Sequence, residues 1–210
     1  MSVRERVRQI KHLQNKYFIC VLEKPDNLVN VASAIRNISA FGVTKLYVVG
    51  GASTLEDFKS SRINKHLSKI SVGANKWVFV KHFDTTNECL AHLKKNLYTS
   101  VVTSSHNKGN KNIELYEGTF TQKRLAVWFG NESNGISDEA VKDADICIQI
   151  PMGGIVESLN LGTSTGIVLS YISYQRLKFV YSHNKVRFRS RGFGKLKMQS
   201  WQDFINSHRE

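Results

Sequence analysis

Residues 125–160 read LAVWFGNESNGISDEAVKDADICIQIPMGGIVESLN, and this stretch decides the fold. It holds two short apolar runs, Leu125–Phe129 and Ile146–Ile150. Both are apolar on consecutive rather than alternate residues, which marks strands covered on both faces. The first run stops at a turn, Gly130-Asn131-Glu132-Ser133-Asn134-Gly135, after which Ser137 can cap a short helix over Asp138–Ala144. The second stops at Pro151, passes Gly153 and Gly154, and enters a long, mostly apolar helix over Leu159–Leu177. A strand, a loop and a helix repeated in this way form the unit of a parallel sheet covered by helices.

The same alternation extends upstream. Tyr17–Leu22 (YFICVL) is an apolar strand run, and Pro25-Asp26-Asn27 breaks it. Val31, Ala34, Ile35, Ile38 and Phe41 share one helical face, with Asn30 placed to cap that helix and Gly42 to end it. Lys45–Val49 and Trp77–Val80 are further strands, with a loop and one helix expected across 50–75. Thr85 and Glu88 form a capping box for a helix to about Asn96, and Ser100–Thr103 is a strand. The expectation is an α/β fold with a mostly parallel sheet flanked by helices.

Length and composition agree with one soluble domain. The chain has 210 residues, 41% hydrophobic and 22% charged, with 2 prolines, so it lacks a low-complexity linker. Charge is the unusual feature, at +13 net. It is segregated. Residues 1–16 hold five cations against one anion, residues 176–210 nine against two, and residues 17–175 are left at +2. Solubility alone does not require basic ends on a nearly neutral body, whereas a polyanionic partner does. The N-terminal segment places Val3, Val7, Ile10 and Leu13 at helical spacing between arginines that include Arg4 and Arg8. Residues 185–197 (KVRFRSRGFGKLK) interleave Arg187, Arg189 and Arg191 with Phe188 and Phe193, as a nucleic-acid-contacting arm would; Arg176 belongs to the same basic run. Met198, Trp201, Phe204 and Ile205 then suit a short docking helix. Cys20, Cys89 and Cys147 have no CxxC spacing, which fits buried thiols in a reducing cytoplasm and predicts no metal. No membrane-spanning run is present.

Several familiar chemistries are absent from the sequence. It has no GxGxxG, no phosphate loop ending in Gly-Lys-Ser/Thr and no HExxH. Three polar segments remain, each following a strand: Asn30 to Arg36, Gly130 to Gly135, and Ile150 to Asn160. The C-terminal edge of an open α/β sheet is where ligands bind. Read singly, the first two segments fit a helix cap with a solvated arginine and a tight turn. The third, with two glycines ahead of Ser158-Leu159-Asn160 at a helix start, points more directly to a ligand.

Together the three resemble the motifs of the SpoU/TrmH family of RNA ribose 2′-O-methyltransferases, in the SPOUT superfamily. The matches are Asn30 with Arg36; Gly130, Glu132 and Gly135 after an apolar strand; and Ile150-Pro151-Met152 with Ser158-Leu159-Asn160. They cover about residues 17–175. Ala32 stands where many members have Gly, and Leu161-Gly162-Thr163-Ser164 replaces a Val-Ser-x-Ala pattern. The resemblance implies a C-terminal deep trefoil knot, S-adenosylmethionine as methyl donor without a metal, and a homodimer. It implies roles as well. Arg36 would assist deprotonation of a ribose 2′-hydroxyl, Asn30 would orient Arg36 or the substrate, and Glu132 would hold the site together. Ser158 and Asn160 would position the substrate side. Thr103, Gly130, Ile150 and Leu159 would hold the cofactor through backbone groups.

The resemblance further implies three parts: a basic N-terminal helix over 1–16, a methyltransferase domain over 17–177 and a basic extension over 178–210. Only 16 residues precede the first strand, where rRNA-directed members often carry a whole domain. With the Gly73-x-x-x-Trp77-Val78 segment and the basic extension, this looks most like the tRNA enzymes that methylate guanosine 18 of the D-loop. The alternatives are an rRNA or wobble-position tRNA methyltransferase and, outside the enzyme class, a non-catalytic RNA-binding protein on the same fold.

Overall fold

A computed structural model of the chain describes residues 3–51, 61–109 and 111–183. Seven strands form one sheet in the order β3-β2-β1-β6-β4-β7-β5, and every pairing is parallel. The strands are β1 Asn15–Glu23, β2 Val43–Val49, β3 Phe79–Phe83, β4 Thr99–Thr103, β5 Asn112–Glu114, β6 Leu125–Phe129 and β7 Ile146–Gln149. The described helices are α1 Val3–Ile10, α2 Leu28–Ala40, α3 Ser61–Ile70, α4 Thr86–Lys95, α5 Asp138–Asp143 and α6 Leu161–His183. Residues up to Phe179 belong to one compact unit; of a second unit, Val180–Glu210, only the last turn of α6 is described.

The period of two along each strand divides the core into two layers. Phe18, Cys20 and Leu22 of β1 pack with Val31, Ala34, Ile35 and Ile38 of α2 and with Val168, Leu169 and Ile172 of α6. Ile19 and Val21 face the other way, toward Cys89, Leu90 and Leu93 of α4 and Ala140 of α5. Leu125–Phe129 is buried at every residue, which is why it reads as an unbroken apolar run. All three cysteines are buried, and burial raises each thiol's pKa.

Four expectations need correction. Asn27 rather than Asn30 caps α2, its side chain accepting from the Val29 amide at 2.8 Å; Asn30 lies within the first turn and is buried. The third strand runs Phe79–Phe83 instead of Trp77–Val80, because a 3-10 turn at Ala74–Lys76 takes up the preceding residues. The polar stretch before Leu125 contains a further short strand, β5, that pairs with β7. The long helix continues past Leu177 to His183.

Candidate active site

The chain leaves β1 along one half of the sheet and returns through β4, β6 and β7 in the other, so the C-terminal ends of β1, β6, β4 and β7 adjoin. Loops from three of these ends surround a cavity of about 440 Å³, well within the roughly 300–1,000 Å³ of small-molecule sites. Thr103, Gly130, Ile150 and Leu159 all line it, as do Glu132, Ser158 and Asn160. The lining joins apolar side chains, Ile148, Ile150, Met152 and Leu159, to polar ones such as Ser104 and Ser164.

The three polar segments meet through hydrogen bonds. Asn30 Nδ2 donates to Glu132 Oε1, and Asn160 Nδ2 donates to Asn30 Oδ1 at 3.0 Å. Asn160 Oδ1 accepts from the Gly162 and Thr163 amides at 2.8 and 3.3 Å, so the same side chain caps α6. Asn160 thereby fixes the helix start and Asn30 together, and Asn30 in turn fixes Glu132.

The surrounding backbone is built for this closeness. Asn131 and Gly135 exchange both backbone hydrogen bonds, which folds the Gly130–Gly135 turn back on itself. Gly135 takes φ +67°, and a Cβ on Gly130 would overlap the Gly135 carbonyl. At the other helix, a Cβ on Gly162 would press on Ser33 of α2. There Asn37 Nδ2 donates to Gly162 O at 2.7 Å and to Thr165 Oγ1 at 2.9 Å, locking α2 to α6.

Two residues that brace the loops of the site escaped the sequence reading. Glu23, only 2% exposed, accepts from Thr86 Oγ1 at 2.5 Å and from the Ser137 hydroxyl and amide at 2.6 and 2.8 Å. It ties the end of β1 to the far end of the Gly130–Gly135 loop. An acidic residue closing a strand that is buried from Phe18 onward was the available signal. Lys108, also on the cavity wall, donates to Ile136 O at 3.3 Å and lies 3.8 Å from Asp138.

Not every expected residue joins the site. Arg36 is exposed on α2 and lies outside the cavity lining. Arg8 is exposed on α1; Arg4 lies on the same helix. Arg176, expected to contact RNA, is buried at 7% exposure. Its guanidinium donates to the carbonyls of Phe120, Gln122 and Lys123 and to Asn15 Oδ1, and stacks 5.5 Å from the Phe18 ring centroid. Burial lowers its pKa to about 10. Both terminal nitrogens are spent on the fold, and the side chain is buried rather than presented on the surface. Arg187, Arg189 and Arg191 lie outside the described residues.

A parallel α/β sheet with three interlocked polar loops at its C-terminal edge defines a small-molecule-binding α/β protein. The SpoU rRNA Methylase family model matches residues 17–170. A curated relative, the tRNA (guanosine(18)-2'-O)-methyltransferase of Aquifex aeolicus, is 30% identical over 172 residues, covering 82% of this chain and 76% of the relative. The crystal structure of the A. aeolicus TrmH/SpoU tRNA modifying enzyme superposes with a TM-score of 0.70 at 29% identity, covering 85% of this chain and 87% of that one. An AdoMet-bound rRNA methyltransferase from Sinorhizobium meliloti shares the fold at a TM-score of 0.66 and 20% identity, covering 77% and 57%. The chain belongs to the SpoU methylase family, whose named relatives are RNA 2′-O-methyltransferases.

Proposed function

We propose that this chain methylates a ribose 2′-hydroxyl of tRNA, with guanosine 18 of the D-loop as target and S-adenosylmethionine as donor. The observation that carries the reading is the Asn30–Glu132–Asn160 chain, which draws all three motifs onto one edge of one cavity. The cavity suits the donor chemically. Ile148, Ile150, Met152 and Leu159 offer apolar faces to an adenine ring, and the loops at Thr103, Gly130 and Leu159 offer backbone groups to its edges and ribose. When bound, the cofactor supplies an electrophilic methyl group, which a 2′-hydroxyl oxygen must approach in line while losing its proton.

The chain's own contribution is positioning, worth several orders of magnitude when the reacting atoms are held in line. Glu132, Ser158 and Asn160 stand at the cavity where the ribose would enter. An arginine is a poor free base, because its pKa exceeds about 12. Arg36 therefore acts in the RNA-bound state, with a phosphate beside it and the proton leaving as the methyl transfers. Its exposure on α2 accords with the expected homodimer, in which the site lies near the subunit boundary. The knotted C-terminal arrangement belongs to the same reading, as does work in the cytoplasm. The basic ends would hold the tRNA backbone.

The test is incubation with labelled S-adenosylmethionine and, separately, tRNA and rRNA from cells lacking the modification, followed by mapping of the methylated nucleoside. A 2′-O-methylguanosine at tRNA position 18 is the expected product. Label confined to rRNA would keep the chemistry and overturn the substrate. Absence of label in both would overturn the methylation itself.

A further inference from the structure

Away from the cavity, the face of the sheet under α4 carries lysines that, among the described residues, form no salt bridge. Strand register sets them side by side. Lys45 on β2 is paired with Phe79 on β3, and Tyr47 with Lys81 in the next position but one. Lys81 Nζ lies 3.4 Å from His92 Nδ1 and 4.6 Å from the Phe83 ring centroid, and the Tyr47 hydroxyl lies 3.4 Å from His92 Nε2. Burial and then Lys81, Lys45 and Lys95 push the His92 pKa below its ordinary value, so these charges share one neighbourhood and leave the ring neutral. Among the described residues, no salt bridge reaches Lys45, Lys81 or Lys95.

A helix C-terminus attracts cations, which accounts for Lys95 at the end of α4. It does not account for Lys45 and Lys81, which stand on strands. Aromatic rings interleave with them. Phe79 is 58% exposed on β3, the outermost strand. Tyr17, near the start of β1 on the other side of β2, is 45% exposed, with the Arg124 guanidinium 5.5 Å from its centroid and 5.9 Å from that of Tyr98. Cations outside salt bridges and beside exposed rings suit a phosphate backbone with unstacked bases, because the cations take the phosphates and the rings take base faces.

We propose that Lys45, Lys81 and Lys95, with Phe79 and Tyr17, form a second RNA-contacting surface, separate from the methyl-transfer cavity. It would engage the sugar–phosphate backbone of the substrate at a distance from the reacting ribose. The inference rests on the RNA reading above, and it adds a surface within residues 17–175, the part of the chain that carries little net charge.

The test compares the full chain with Lys45→Gln/Lys81→Gln and with a charge-keeping control, Lys45→Arg/Lys81→Arg. Binding of tRNA is measured across a salt series and cofactor binding in parallel. The Gln pair should lower the slope of log affinity against log salt by about 2, near 1 per phosphate contact. Its cofactor affinity should stay at the wild-type value, and the Arg pair should keep the wild-type slope. An unchanged slope in the Gln pair, with wild-type RNA bound, overturns this surface and leaves the methylation reading standing. A lowered slope without methyl transfer to any RNA supports the surface and overturns the methylation reading. Failure of the wild-type chain to bind RNA overturns both.

Discussion

At the scale of single residues, the proposed chemistry separates groups that would hold the site from a group that would act on the ribose. Asn30 is buried and hydrogen-bonded to two loops, so Asn30→Ala should disturb all three motifs. Displacing reacting atoms by about 1 Å can cost on the order of 100-fold in rate. Turnover of Asn30→Ala should fall by that order while the protein stays folded. Arg36 is exposed and outside the cavity lining, so Arg36→Ala should leave cofactor affinity intact and lower turnover at saturating RNA. Isothermal titration with the cofactor and single-turnover rates separate the two effects. Near-normal turnover in Arg36→Ala would remove it from the chemistry. Arg176 makes the opposite case. Removing it takes a donor from the carbonyls of Phe120, Gln122 and Lys123, of which Phe120 is a buried residue, and a carbonyl left buried and unpaired costs about 1–3 kcal/mol. Arg176→Ala should lower the melting temperature by about 10 °C, taking roughly 3 kcal/mol at 2–4 °C per kcal/mol for this size. Its RNA affinity, measured well below that transition, should equal the wild type's.

At the scale of elements, local rules and tertiary closeness pull apart. Gly130 shows this most sharply, since a Cβ there would overlap the facing Gly135 carbonyl. Gly130→Ala must open the turn, and overpacking of this kind costs about 1–3 kcal/mol. The loop carries Glu132 and lines the cavity, so cofactor affinity should fall by tenfold or more, read by titration at constant fold. The strands β1, β2, β4, β6 and β7 were legible because each carries a run of consecutive buried residues that is mostly apolar, as parallel strands covered on both faces do. Ser137 as the cap of α5 was legible too, its hydroxyl accepting from the Ala140 amide. Asn30 was misread for a physical reason. Asparagine suits a cap and an active site alike, and Asn27, three residues earlier, offers the same chemistry at the true boundary. β5 was invisible because a three-residue edge strand, Asn112–Glu114, has too few residues to show a pattern. Arg176 was misread because charge reads as exposure in sequence, while four oxygens supplied by distant segments make burial tolerable. The meeting of Asn30, Glu132 and Asn160 could be expected from the motifs, but their hydrogen-bond order depended on the fold.

At the scale of the whole molecule, charge and chemistry occupy different places. The cavity sits in a body of +2 net charge, while the ends carry most of the +13. An RNA held only at the ends would bind through Arg187, Arg189 and Arg191 and the N-terminal helix. The patch around Lys45 and Lys81 predicts a second share of the same salt dependence, carried by the body. Contacts in separate places with no shared partner add in free energy. The variant Arg187→Gln/Arg189→Gln/Arg191→Gln should therefore lower the salt slope by about 3 at one unit per phosphate contact. Combining it with Lys45→Gln/Lys81→Gln should lower it by about 5. Counterion release explains why the slope is the informative readout: it counts phosphates neutralised and ignores base identity. Saturating RNA should restore turnover in the combined variant, since neither lysine lines the cavity and the three arginines are assigned to backbone contacts. A combined loss no larger than that of the arm variant alone would place the backbone contacts at the two basic ends and leave the body to the chemistry.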